Sequence, residues 1–264
     1  MPEELPVPDL ASLAKWFDTF CASYRSDDGA AQRNYDLKAL HTLKVREGAR
    51  LITSEGDPHR QLLAEAAALC HDLGRFPQYR EYRTFKDSES LNHAHLSARI
   101  AGEAGVLDFL SKPERESVLT AVRLHNVYQI PAGLSPEAED LLRVVRDADK
   151  LDIWRVFIEY FYAPEGDRAS AATLGFPDLP LCSPEVLGDL SRGKLVRLAT
   201  VKTVNDFKLL QLSWLYDINF RSTLALISER GLLDELASTL PPFDAVQQAV
   251  ADVQGHLKRR LSLP

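Results

Sequence analysis

Six side chains in this sequence combine metal-binding chemistry with positions that helical spacing turns toward a core. His41 falls in the apolar stripe of Leu37, Val45 and Gly48. His71 and Asp72 close a segment whose inner face carries Leu63, Ala67 and Ala68. His93 shares a face with Leu96, Ser97 and Ile100, whereas His95 faces Arg99, Gly102 and Glu103 and is expected at the surface. His125 follows Val118, Ala121 and Val122 at i−7, i−4 and i−3, and Asp149 has Leu142, Val145, Ile153 and Val156 as helical neighbours. A carboxylate in such surroundings is costly unless paired or metal-bound. Imidazole with carboxylate suits a divalent ion such as Fe, Mn, Co, Ni or Zn, and the lack of Cys in the set argues against a structural zinc site. One buried histidine is ordinarily a hydrogen-bonded core residue, and Asp149 alone could pair with Arg146 or Arg155. Several such groups arriving from separate helices are not explained that way.

The elements that must position these groups read as helices separated by proline- and glycine-marked loops. Apolar spacing near 3.6 predicts helices over 9–24, 35–52, 58–71, 91–104, 114–126, 136–162, 184–196, 205–228 and 243–261. Pro58 suits a first helical turn, and Gly74 with Pro77 is expected to end the third helix and open a polar, aromatic loop to about Ser90. The stretch 163–183 is rich in Pro, Gly and Ser and is expected to be a surface excursion. Sustained strand alternation and internal repeats are lacking, so the fold class is all-α.

Composition sets the outer bounds. A chain of 264 residues with 45% hydrophobic and 26% charged residues is an ordinary globular protein. It is long enough to fold without disulfide or metal. With 31 Lys+Arg against 38 Asp+Glu, the net charge is −7, which argues against nucleic acid as a general partner and has the wrong sign for phosphate chemistry at first sight. The start, Met1-Pro2-Glu3-Glu4-Leu5-Pro6, lacks the basic and apolar regions of a signal peptide, and no membrane-spanning run follows. Cys21, Cys70 and Cys182 are too few and too scattered for a disulfide framework. The expectation is a cytoplasmic protein with no membrane partner. His59 and His256, among charged neighbours, are expected at the surface, and Cys70 is expected to be a packing residue rather than a nucleophile.

The ordered set His41, His71-Asp72, Asp149 resembles the HD superfamily of metal-dependent phosphohydrolases. The string Ala68-Leu69-Cys70-His71-Asp72-Leu73-Gly74-Arg75-Phe76 is similar to that family's apolar helix ending in the His-Asp pair, and Ala148-Asp149-Lys150-Leu151 is similar to its last ligand segment. The resemblance covers roughly residues 34–160. It implies one all-α domain, residues 1–264, with an HD core at about 30–162 and a helical extension at 184–264. Asp147, Asp149 and Asp152 compete for the last ligand position. Asp147 has Asp140, Arg143 and Lys150 as helical neighbours, so periodicity agrees with the alignment on Asp149, leaving Asp147 as a supporting group or an ion-pair partner.

Some family members bind one ion and others add two histidines between His-Asp and Asp. Here His93 and His125 occupy those places, so the resemblance implies two divalent ions. His41, His71 and Asp149 would hold one, His93 and His125 the other, with Asp72 bridging; Fe, Mn, Co, Ni, Zn and Mg are not distinguished. The implied reaction is hydrolysis of a phosphomonoester or phosphodiester of a nucleotide or other small phosphorylated substrate by metal-activated water. Asp72, Arg75 and Lys150 would be the catalytic groups, with Arg75 and Lys150 on phosphate oxygens and Gln78 and Asn126 as weaker contacts. Residues 75–87 are expected to cover the pocket. Asp217 and Asn219 form a polar notch that reads more readily as a structural hydrogen-bond pair than as part of the site. Two alternatives use the same fold: a di-iron oxygenase acting on a small organic substrate, and a non-catalytic ligand-binding module. A full ligand set argues against the second.

Overall fold

A computed structural model describes residues 9–263, so the acidic, proline-containing residues 1–6 lie outside it. Among the described residues every regular element is helical, α or 3-10, and none is a strand. No helix among them is long and apolar enough to cross a membrane. Two compact units meet in sequence at the Ala148–Asp149 bond. The division falls inside a helix and not in the 163–183 excursion.

The first unit contains α1 (Leu10–Ala22), α2 (Gly29–Ile52), α3 (Pro58–Cys70), α4 (Arg75–Tyr82), α5 (His93–Glu103), α6 (Lys112–Leu124) and the start of α7 (Pro136–Tyr162). Short polar side chains begin these helices by accepting otherwise unpaired backbone N–H groups. Asp9 accepts from Ser12, Asp28 from Ala30, Asp57 from His59 and Asn92 from His95. Asp28 starts α2 six residues earlier than periodicity predicted, because the first turns carry few apolar residues to register. Ser111 and Glu114 form a reciprocal capping box on α6.

At the centre of the unit lies α3, touching α1, α2, α5 and α6. Every residue from Leu63 to Cys70 is buried. Four of those eight are alanines, whose small side chains let neighbouring helices close on all sides of one helix. Its last turn, and the His-Asp pair after it, are therefore fixed from several directions. Gly48 has a similar role between α2 and α7, where a Cβ would lie 3.3 Å from that of Ala148.

The expected aromatic loop after residue 74 is instead largely helical: α4, then a 3-10 turn at Asp87–Glu89. Pro77 was read as a breaker, but it stands in the first turn of α4, where a backbone N–H would have no helical acceptor. The helix is held by aromatic packing. Phe76 stacks with Tyr35 at 6.2 Å between centroids and meets Phe17 edge-on, while Tyr79 packs on Tyr35 and Phe85.

The second unit holds the rest of α7, then α8 (Pro184–Ser191), α9 (Val204–Ser213), α10 (Arg221–Glu229), α11 (Leu232–Ser238) and α12 (Asp244–Ser262). All ten residues of α9 are buried, and α8, α11 and α12 pack around it. The single helix expected over 205–228 breaks into α9, a 3-10 turn at Trp214–Asp217, and α10. No Gly or Pro marks this break. The Asp217 carbonyl accepts from Asn219 and from Lys150, a side-chain competition that favours turns over helix. Gly231, at φ +62°, opens α11, which the sequence reading passed over.

Candidate metal centre

Three of the four candidate histidines stand at helix ends, where backbone groups lack partners. His71 directly follows α3 and His125 directly follows α6. Each makes the same local bond. His71 Nδ1 donates to the Ala68 carbonyl at 2.7 Å, and His125 Nδ1 donates to the Val122 carbonyl at 2.8 Å. A carbonyl only accepts, so in both neutral rings Nδ1 carries the hydrogen and Nε2 presents its lone pair. His93 opens α5, and its Nδ1 meets both oxygens of Asp87 at 2.8 and 2.7 Å, which fixes the same tautomer. His41 lies within α2, buried as its apolar stripe implied.

All four Nε2 atoms converge on Asp72, and its two oxygens divide them. Oδ2 lies 3.5 Å from His41 and 3.7 Å from His71, while Oδ1 lies 3.4 Å from His93 and 3.9 Å from His125. Within each pair the Nε2 atoms are also close: 3.4 Å for His41 and His71, 3.0 Å for His93 and His125. In the His93–His125 pair two lone pairs face each other at that distance and call for a proton or a cation between them. Donors about 2.1 Å from one ion, at tetrahedral to octahedral angles, lie about 3.0–3.4 Å apart. The donor chemistry and spacing of His41, His71 and Asp72, and of Asp72, His93 and His125, therefore fit divalent ions.

Electrostatics keep Asp72 ionised and His93 neutral, the forms that could hold a metal. Burial works to raise the Asp72 carboxyl, but Lys38, His71, Arg75 and His93 outweigh it and hold it well below the usual carboxylate range. Burial, reinforced by Arg75, lowers His93 to about 4 against the pull of Asp87 and Asp72, so its ring is neutral at ordinary pH. Burial would raise Asp87 too; its hydrogen bond to His93, with Arg75 and Gln78, lowers it instead. Burial pushes the Cys70 thiol up to about 12, which fits the packing role expected of it.

The other predicted residues are placed as follows. Arg75 Nε lies 3.4 Å from Asp72 Oδ1, while its Nη1 bonds Gln78 Oε1 at 2.9 Å, the Phe85 carbonyl at 2.5 Å and Asp87 Oδ1 at 3.2 Å. Gln78 is fully buried and donates to Asp87, Ser90 and the Leu91 carbonyl. Exposed Asn126 donates to Asp87 Oδ2 at 3.1 Å and Asn92 Oδ1 at 3.3 Å. Thus Arg75, Gln78 and Asn126 all meet on Asp87. His95 and His59 are exposed as expected, whereas His256 is half-buried against the Tyr216 ring.

On α7, Asp149 directly follows Ala148 and is half-buried. The next residue, Lys150, is buried with its ammonium 2.5 Å from Asp217 Oδ2. Asp217 and Asn219 form a structural pair, on a 3-10 turn and the residues after it rather than in a helix. Periodicity put Asp147 on a polar side with Lys150, yet Asp147 is fully buried, and Arg146 and Asp152 nearly so. This stretch of α7 is covered almost all round, so neighbour polarity misjudged which side was wet. Arg146 donates to the carbonyls of His125 and Val127, which ties α7 to the end of α6.

Sequence reasoning missed two residues. Lys38, one turn before His41 on α2, bonds Asp72 Oδ2 at 2.8 Å and lies over the Phe85 ring. The i−3 spacing from His41 was the signal available. Asp87 sits on a 3-10 turn, where no periodicity marks its direction.

Set against known families, residues 39–154 match the HD domain. No curated protein and no solved structure gives a significant match to the chain.

Proposed function

From the match of residues 39–154 to the HD domain, we propose that the chain is a metal-dependent phosphohydrolase acting on a small phosphorylated molecule. The observation that carries this reading is the division of Asp72 between two histidine pairs, His41 with His71 and His93 with His125. His41 and His71 would hold one ion and His93 and His125 the second, with Asp72 serving both. Bound divalent ions would supply an activated water at neutral pH and charge compensation for the phosphoryl oxygens.

The chain's own groups prepare the site for such a substrate. The Nδ1 bonds of His71, His93 and His125 fix each ring so that Nε2 faces Asp72 without rearrangement. Lys38 and Arg75 place two positive charges beside Asp72. Lys38 is the better phosphate contact: its ammonium is held by Asp72 through one bond on a flexible stem, and can exchange that carboxylate for a phosphate oxygen. Arg75, with Nη1 committed elsewhere, contributes charge from a fixed position. Lys150 would have to leave Asp217 to reach substrate. The net charge of −7 bears on solubility rather than on this local field.

The test is elemental analysis of the purified protein, followed by a phosphate-release screen over nucleotides and simple phosphoesters with and without EDTA. Bound metal with EDTA-sensitive phosphate release is expected. Metal-loaded protein that releases no phosphate but consumes oxygen with an organic substrate would overturn the reading.

A further inference from the structure

Asp87, on the turn between α4 and α5, is the meeting point of four side chains, two from α4, one from α5 and one from the turn after α6. His93 Nδ1 contacts both of its oxygens, Gln78 Nε2 and Arg75 Nη1 reach Oδ1 at 2.9 and 3.2 Å, and Asn126 Nδ2 reaches Oδ2 at 3.1 Å. Gln78 is in turn fixed by Ser90 and the Leu91 carbonyl, on the segment leading into α5. A carboxylate gripped this way cannot swing, and the imidazole bonded to it cannot turn over. Its effect is directional. With Nδ1–H fixed on Asp87, His93 Nε2 is held 3.4 Å from Asp72 Oδ1 and 3.0 Å from His125 Nε2.

We propose that Asp87 is the positioning residue for one half of the centre. It orients His93 and raises that ring's basicity toward the ion shared with His125, and Arg75, Gln78 and Asn126 hold Asp87 rather than serving chiefly as substrate contacts. This rests on the two-ion reading above. In the other half His71 is fixed by the Ala68 carbonyl, so loss of Asp87 acts on the ion of His93 and spares the other. A carboxylate on the far nitrogen of a metal-bound histidine is worth about 10–100-fold in metal affinity.

The test is Mn²⁺ titration by calorimetry on the EDTA-stripped full chain, comparing wild type with Asp87→Ala, Asp87→Asn, His93→Asn and the double variant Asp87→Ala/His93→Asn. Wild type is expected to bind two ions. Asp87→Ala should retain one at wild-type affinity and weaken the other by about 10–100-fold. Asp87→Asn keeps an oxygen that accepts from Nδ1–H, so it should fall between wild type and Ala and serves if the Ala variant folds poorly. In the double variant the loss should not exceed that of His93→Asn alone, because Asp87 acts through that ring. Unchanged binding in Asp87→Ala, equal weakening of both ions, or losses that multiply in the double variant would overturn the proposal. A wild-type chain that binds no Mn²⁺ would overturn the two-ion reading itself.

Discussion

Gly74 gives a perturbation whose sign is decided by geometry. Its backbone is helical, φ −63° and ψ −21°, a conformation alanine prefers. On conformational grounds Gly74→Ala would stabilise the protein by about 0.4–1 kcal/mol. The space is not there. A Cβ on Gly74 would lie 2.3 Å from the His93 carbonyl oxygen, 3.0 Å from Leu96 Cβ and 3.0 Å from Ser97 N. Ordinary contact begins near 3.4 Å, so the start of α5 must retreat by about 1 Å. The obstacle is backbone, and the Gly74 N–H to Ser97 Oγ bond at 2.8 Å would be strained with it. Overpacking of this kind costs about 1–3 kcal/mol, which exceeds the conformational gain. A net loss near 1.3 kcal/mol lowers the melting temperature by about 3–5 °C for a chain of this size. Because His93 is the first residue of α5, the same shift moves its Nε2 away from Asp72 and should lower metal content. Thermal unfolding by circular dichroism with elemental analysis reads both effects. Gly166→Ala, with nothing within 4 Å, is the control and should stay within about 0.5 kcal/mol of wild type. A Gly74→Ala protein that melts at or above wild type with full metal content would refute the close-approach reasoning.

Other outcomes follow from the same geometry. The metal-free protein should lose stability on acidification from about pH 6.5 to 4, because His93 titrates at about 4 folded and near 6.5 unfolded. In that window the unfolded chain binds the extra proton, so the loss approaches about 3 kcal/mol; urea unfolding at several pH values measures it, and His93→Asn should flatten the profile. Asp72, also depressed, adds a further loss as pH falls below its ordinary carboxylate value. Lys38→Met should leave metal bound while raising KM for a phosphate substrate by about tenfold, a single charged hydrogen bond's worth; loss of metal instead would make Lys38 a structural residue. Arg75→Ala should reduce both metal content and phosphate use through Asp87, and intact metal content would show that Arg75 does not act through it.

The cluster around Asp72 was legible because imidazoles and a carboxylate are costly to bury. Inward spacing singled out His41, His93 and His125, and the His71-Asp72 pair with its neighbours carried the family resemblance. Their tautomers were not legible: they depend on the Ala68 and Val122 carbonyls being left open by helix ends, which only the fold defines. Asp87 was invisible because a 3-10 turn imposes no face, and Lys38 because a lysine on a helix reads as solvated until its partner is known. Most helices were recovered from period and caps. The misses have local causes: Pro77 in a first turn looks like a stop, and the Asp217 carbonyl breaks a helix whose apolar pattern continues through it. On α7, Asp147 shows the limit of reading polarity from neighbours, since Arg146, Asp147 and Lys150 are all buried.

The central claim is a two-ion centre built on Asp72 that hydrolyses phosphoesters. It is tested most directly by measuring ion stoichiometry and anaerobic phosphate release together, on Mn²⁺-loaded wild type and on the His71→Ala/Asp72→Ala variant. Two ions per wild-type chain with oxygen-independent phosphate release, both lost in a variant that still folds, is the predicted result. A folded variant that keeps wild-type metal content and turnover would contradict it.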